Sequence, residues 1–154
     1  MIRALIIYAS LTGNTEEIAH LLAKRMEEEG VVVEVKECSF AQPEEFTDVD
    51  ICIVATYTYG SDGELPDEIY DFYEDLKEVD LSGKVYGCLG SGEAFYGNFC
   101  KSADDFDERF QLTKAIRGAE VVKIEENAKD EDMLRIDQFA RQIVEVCKHI
   151  HGAR

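Results

Sequence analysis

Apolar residues return along the chain in two rhythms. Short, nearly continuous apolar runs occupy Arg3 to Tyr8, Val31 to Val35, Asp50 to Ala55, Lys84 to Leu89 and Glu120 to Ile124. Runs of this length and β-branched content predict strands covered on both faces. Between them the apolar positions recur at helical spacing. Thr15 to Glu29 puts Ile18, Leu21, Leu22 and Met26 on one side and stops at Gly30. A second helix opens at Pro66, a good first-turn residue, with Ile69, Phe72, Tyr73 and Leu76 together. A third runs from about Lys101, with Phe106 and Phe110 one turn apart. The last spans Asp130 to Ile150, with Ile136, Phe139, Ala140, Ile143, Cys147 and Ile150 facing inward. Ser82-Gly83 is a turn. Ala41 to Asp48 is a polar connection containing Pro43, expected to hold little regular structure.

The resulting order is β-α-β-β-α-β-α-β-α. Strands alternating with helices predict an α/β protein with a parallel sheet and helices on both faces. For five strands the expected doubly wound order is 2-1-3-4-5, with right-handed crossovers. No repeat, low-complexity tract or interdomain linker appears, so residues 1–154 are expected to form a single domain. In this order a ligand binds beyond the carboxyl ends of the strands, between strands one and three. The loops after strands one, three and four meet there, and these three have the unusual compositions.

The first, Ser10 to Thr15, carries Ser10, Thr12, Asn14 and Thr15 as side-chain donors and Gly13 for a tight turn. The helix that follows adds free N–H groups and its positive dipole end. This set suits a phosphate dianion held without a cation. It lacks the GK[ST] of a nucleoside triphosphatase. The second loop brings Tyr57 and Tyr59 with Thr58 and Gly60; the third brings Phe95 and Tyr96 with Gly90, Gly92 and Gly97. Aromatics from opposite loops could hold a flat conjugated ring. A phosphate at one end and a ring at the other suggest a mononucleotide cofactor.

Charge narrows the partners. The net charge of −17 argues against nucleic-acid backbones and anionic membranes and points to a partner with a basic face. Cys38, Cys52, Cys88, Cys100 and Cys147 form no CxxC, and their odd number predicts reduced thiols in a cytoplasm. His20, His149 and His151 make no metal-ligand pattern. No stretch approaches 18 apolar residues, so no membrane span is expected. The strand ends Tyr-Ala-Ser and Ala-Thr-Tyr lack the acids of a phosphorylation receiver.

Together these loops resemble those of the flavodoxin family, of the short-chain type. Ser10-Leu11-Thr12-Gly13-Asn14-Thr15 matches the [ST]xTGxT FMN-phosphate loop at every defined position. Thr58-Tyr59-Gly60 resembles the second loop, and Gly90 to Cys100 the third, with Tyr96 at the outer stacking position. The fifth strand leads to the last helix without the insertion of long-chain members. The resemblance implies noncovalent FMN held by Ser10, Leu11, Thr12, Gly13, Asn14 and Thr15, by Thr56, Tyr57, Thr58, Tyr59 and Gly60, and by Ser91, Gly92, Glu93, Phe95, Tyr96 and Phe99. It implies a Gly60–Ser61 peptide that turns over on one-electron reduction. Tyr59 stands where many members have Trp, Ala94 and Phe95 replace small hydroxyl residues, and Tyr57 competes with Tyr59 for the inner face. The implied role is a low-potential one-electron carrier, monomeric and cytoplasmic. It would run between a NAD(P)H-dependent flavodoxin reductase or similar donor and an acceptor enzyme. The acids Asp62, Glu64, Asp67, Glu68, Asp71, Glu74 and Asp75 would meet the partner's basic face. The alternative is an FMN-dependent NAD(P)H reductase acting on small molecules.

Overall fold

Both rhythms appear in the fold as strands and helices. A computed structural model describes residues 1–58, 63–93 and 99–152. In chain order the elements are β1 (Arg3–Tyr8), α1 (Asn14–Glu28), β2 (Val32–Glu37), β3 (Ile51–Tyr57), α2 (Asp67–Leu76), β4 (Val85–Gly92), α3 (Lys101–Gln111), β5 (Ile116–Arg117), β6 (Val122–Glu125) and α4 (Asp130–Gly152). All strand pairings are parallel and the order is β2-β1-β3-β4-β5, with β6 also on β4.

The strand period of two divides the apolar residues between two cores. Ala4 and Ile6, Ile51, Ile53 and Ala55, and Val85 and Leu89 face α1 and α4, where they meet Ile18, Leu22, Met26, Ile136, Phe139 and Ile143. Leu5 and Ile7, Cys52 and Val54, and Tyr86 and Cys88 face the other way, onto Ile69, Phe72, Leu76, Phe106 and Phe110. Tyr73 and Ile150, expected inside, are half-buried at the margins.

Three expectations change. The strands run further at their carboxyl ends than the apolar pattern marks. β3 continues to Tyr57 and β4 to Gly92, with Thr56 opposite Gly90 and Tyr57 opposite Ser91. Ladder pairing does not need apolar side chains, so it outlasts the pattern. The connection after β2 is ordered into two 3-10 turns, Cys38–Phe40 and Pro43–Asp48. The Gln42 N–H donates to Glu45 Oε2 at 2.7 Å, and fully buried Phe46 packs 5.8 Å from Phe72 and 5.7 Å from Phe110. Finally, the fifth strand expected at Glu120 to Ile124 is β6, and a separate two-residue strand, β5, precedes it. β5 pairs with Val85 and Tyr86, and β6 pairs with Leu89 to Gly92. Between them the Gly118 N–H donates to the Tyr86 carbonyl at 2.8 Å. The chain passes so close to α4 there that a Cβ on Gly118 would lie 2.5 Å from both Ile143 Cγ1 and Val85 Cγ1.

Gly118→Ala is therefore expected to destabilise the protein by about 1–3 kcal/mol, the usual cost of overpacking. A urea titration reads this as a lower midpoint, and an unmoved midpoint would refute the close packing.

Candidate functional site

The carboxyl ends of β1, β3, β4 and β6 surround a cavity of about 460 Å³. That lies within the ~300–1,000 Å³ typical of cofactor sites. Leu11, Thr12, Asn14 and Thr15 line it from the first loop, Tyr57 and Thr58 from the second, and Ser91, Gly92 and Glu93 from the third.

The first loop is built around the Ser10 hydroxyl. Its Oγ accepts from the Gly13 N–H at 3.1 Å and from the Glu16 N–H at 3.2 Å. Both acceptor positions are then used and the O–H is left to donate. Gly13 takes φ +95°, a left-handed conformation that side chains with a Cβ rarely adopt, and sits at the N-cap of α1. The first intrahelical bond runs from the Glu17 N–H to the Gly13 carbonyl at 3.0 Å. The amides of Gly13, Asn14, Thr15 and Glu16 precede it and have no carbonyl within the helix to reach. Ser10 takes two of these amides, which leaves Asn14 and Thr15 beside the cavity. The first turn also holds Glu16 and Glu17. The Tyr8 hydroxyl donates to Glu16 Oε2 at 3.1 Å, and burial followed by this carboxylate raises the phenol above its ordinary pKa.

The other loops are pinned to this one and to α3. Thr15 Oγ1 and Ser91 Oγ lie 2.6 Å apart, both buried. The Ser102 N–H, at the start of α3, donates to Thr58 Oγ1 at 3.0 Å, and the Ser102 hydroxyl donates to the Glu64 carbonyl at 3.3 Å. Thr56, expected to hold the cofactor, is fully buried, and its hydroxyl donates to the Tyr57 carbonyl at 3.0 Å. Phe99 is half-buried just before α3. Tyr59, Gly60, Phe95 and Tyr96 lie outside the described residues, as do Ser61, Asp62 and Ala94.

Two further wall residues, Glu126 and Asn127, follow β6. Glu126 takes φ +56° and its N–H donates to the Gly92 carbonyl at 2.8 Å. This segment has neither glycine nor aromatic residues. The signal that finds it is topological, because β6 also ends on this edge. Among the described residues no cluster of His, Cys, Asp and Glu could hold a metal ion.

The donor set has the chemistry a phosphate needs: hydroxyls and amides of the first loop on the cavity wall, with no Lys or Arg among its described lining residues. Fold and site define a doubly wound α/β protein with a cavity at its topological switch point, lined by hydroxyl and amide donors. The chain belongs to the flavodoxin family, whose family model matches residues 6–139. It is 37% identical over 147 residues to "Probable flavodoxin 2" of Bacillus subtilis (strain 168), covering 92% of this chain and 94% of that one. Among solved structures it resembles the Streptococcus pneumoniae TIGR4 flavodoxin, at 51% identity and TM-score 0.90, covering 93% of this chain and 98% of the other. A short-chain flavodoxin associated with a non-canonical PDU bacterial microcompartment gives 40% identity and TM-score 0.93, covering 96% of this chain and 99% of the other. Flavodoxins bind FMN, carry electrons rather than turn over a substrate, and act with redox partner proteins. Among the described residues no helix is long and apolar enough to cross a membrane.

The cysteines stand apart from this chemistry. All five are buried and unbridged. Burial pushes the Cys38 and Cys100 thiols up to about 12, and raises Cys52 and Cys88 as well. An aromatic disulfide reagent at neutral pH is expected to react with the native thiols more than about a hundredfold slower than with a free thiol. All five are expected to react once urea is added; one fast thiol in the native protein would contradict the burial.

Proposed function

We propose that this chain binds one FMN noncovalently and serves as a low-potential one-electron carrier between redox proteins in the cytoplasm. The observation that carries the reading is the cation-free donor set of Ser10 to Thr15 at the N-terminus of α1, at one end of the switch-point cavity. When bound, FMN supplies a ring system able to take up and release single electrons. The chain's own part is to bind and orient. Thr12, Asn14 and Thr15 direct donors at the phosphate, and Ser10 holds the loop that presents the Asn14 and Thr15 amides. Tyr57 and Gly92 line the cavity further along, where a ring would lie. The roles of Tyr59, Gly60, Phe95 and Tyr96 in covering that ring belong to the same proposal.

The test is selectivity. The double variant Thr12→Val/Thr15→Val is expected to weaken FMN by about 1.5–3 kcal/mol for each lost bond to a charged group. Riboflavin, which has no phosphate, is expected to lose much less. Fluorescence titrations with both ligands decide it: an unchanged FMN-to-riboflavin ratio would remove the phosphate assignment.

Partner choice rests on charge. Glu64, Asp67 and Glu68 are exposed where β3's loop enters α2, at the same edge of the sheet as the cavity. A donor such as a NAD(P)H-dependent flavodoxin reductase, or an acceptor enzyme, would dock there through a basic face. Steering acts mainly on association and is screened by salt. Reversing these three charges is expected to slow stopped-flow electron transfer from a basic reductase at low ionic strength and to flatten its salt dependence. Equal rates and slopes would place docking on another face.

A further inference from the structure

The hydroxyl contact between Thr15 and Ser91 joins residues 76 apart in sequence. Thr15 lies in the first turn of α1 and Ser91 near the end of β4, and they are 1% and 3% exposed. Each also lines the cavity. A hydroxyl carries one proton, so at 2.6 Å only one of the two can donate to the other. If Thr15 donates to Ser91, its oxygen presents lone pairs to the cavity and repels an anion. If Ser91 donates to Thr15, the Thr15 proton is free to point into the cavity. A phosphate oxygen can only accept, so a bound phosphate selects the second arrangement. The Ser91 donor also polarises the Thr15 hydroxyl in the useful direction.

We propose that Ser91 is the positioning residue that aims the Thr15 hydroxyl at the ligand's phosphate. This rests on the FMN reading above and adds a residue that acts through another. The backbone around Ser91 is suited to the task. It pairs with Tyr57 of β3 on one side and Ile124 of β6 on the other, so it lies inside the sheet rather than in a loop. The next carbonyl, that of Gly92, is held by the Glu126 N–H. Without a hydroxyl at position 91, Thr15 loses the donor that fixes its proton and spreads over its staggered rotamers.

The experiment titrates the flavin-free full-length protein with FMN and with riboflavin, which shares the ring and lacks the phosphate. For Ser91→Ala the FMN dissociation constant is expected to rise roughly threefold to tenfold, and that of riboflavin to change by less than about twofold. Ser91→Thr, which restores a hydroxyl, is expected to return the FMN-to-riboflavin ratio toward the parent value. Ser91→Cys keeps the volume with a weak S–H donor; it carries the same expectation as Ser91→Ala and covers an Ala variant that does not fold. In a Thr15→Val background, Ser91→Ala is expected to leave the ratio unchanged, because the two residues act as one unit. An equal loss for both ligands, or a change in ratio that persists in Thr15→Val, overturns the proposal and assigns Ser91 to the ring or to folding. A parent protein that binds both ligands equally overturns the phosphate reading instead.

Discussion

The central strands are buried on both faces, and the rest of the molecule follows from that constraint. β1, β3 and β4 lie between two helix layers with almost no solvent contact. A polar side chain along their middle would be buried without water, at a cost of several kcal/mol unless paired. Chemistry is therefore confined to the strand ends. Parallel pairing puts those ends on one edge, and the reversal of strand order between β1 and β3 leaves a crevice between them. The loops need not find one another, because the sheet delivers them.

At that edge a strongly negative protein gathers donors that are dipoles rather than cations. Ser10 takes two of the four free amides at the start of α1 and leaves the other two beside the cavity. Oriented amides and hydroxyls add no net charge, so the acidic surface around the site keeps its attraction for a basic partner. A lysine in the cavity would bind phosphate as a point charge, but it would also weaken the local field that steers the partner.

Much of this was legible in the sequence because the same residues carry both signals. The apolar runs marked the strands, and Ser10 to Thr15 stood out because its donors exceed what a helix cap needs. What the pattern missed has physical causes. Thr56, Tyr57, Ser91 and Gly92 are strand residues that look like loop residues, because ladder pairing runs through the backbone and does not need apolar side chains. Phe46 joins the core from a polar connection, since one fully buried ring in a 3-10 turn leaves no periodic trace. The break between β5 and β6 depends on Gly118 touching α4, a tertiary contact invisible to local periodicity. Glu126 and Asn127 reach the cavity by topology alone.

The interrupted outer strand also bears on how the protein behaves among copies of itself. An unpaired sheet edge is a template on which another chain can add a strand. On the β5 and β6 side that edge comes in pieces of two and four residues, separated by the detour at Gly118. On the opposite side β2 carries Glu34, Lys36 and Glu37 among its six residues. One border is too short to be copied and the other is too charged to welcome a neighbour. Short pieces on one border and charges on the other are the devices by which a sheet with an almost wholly apolar interior discourages sideways strand addition.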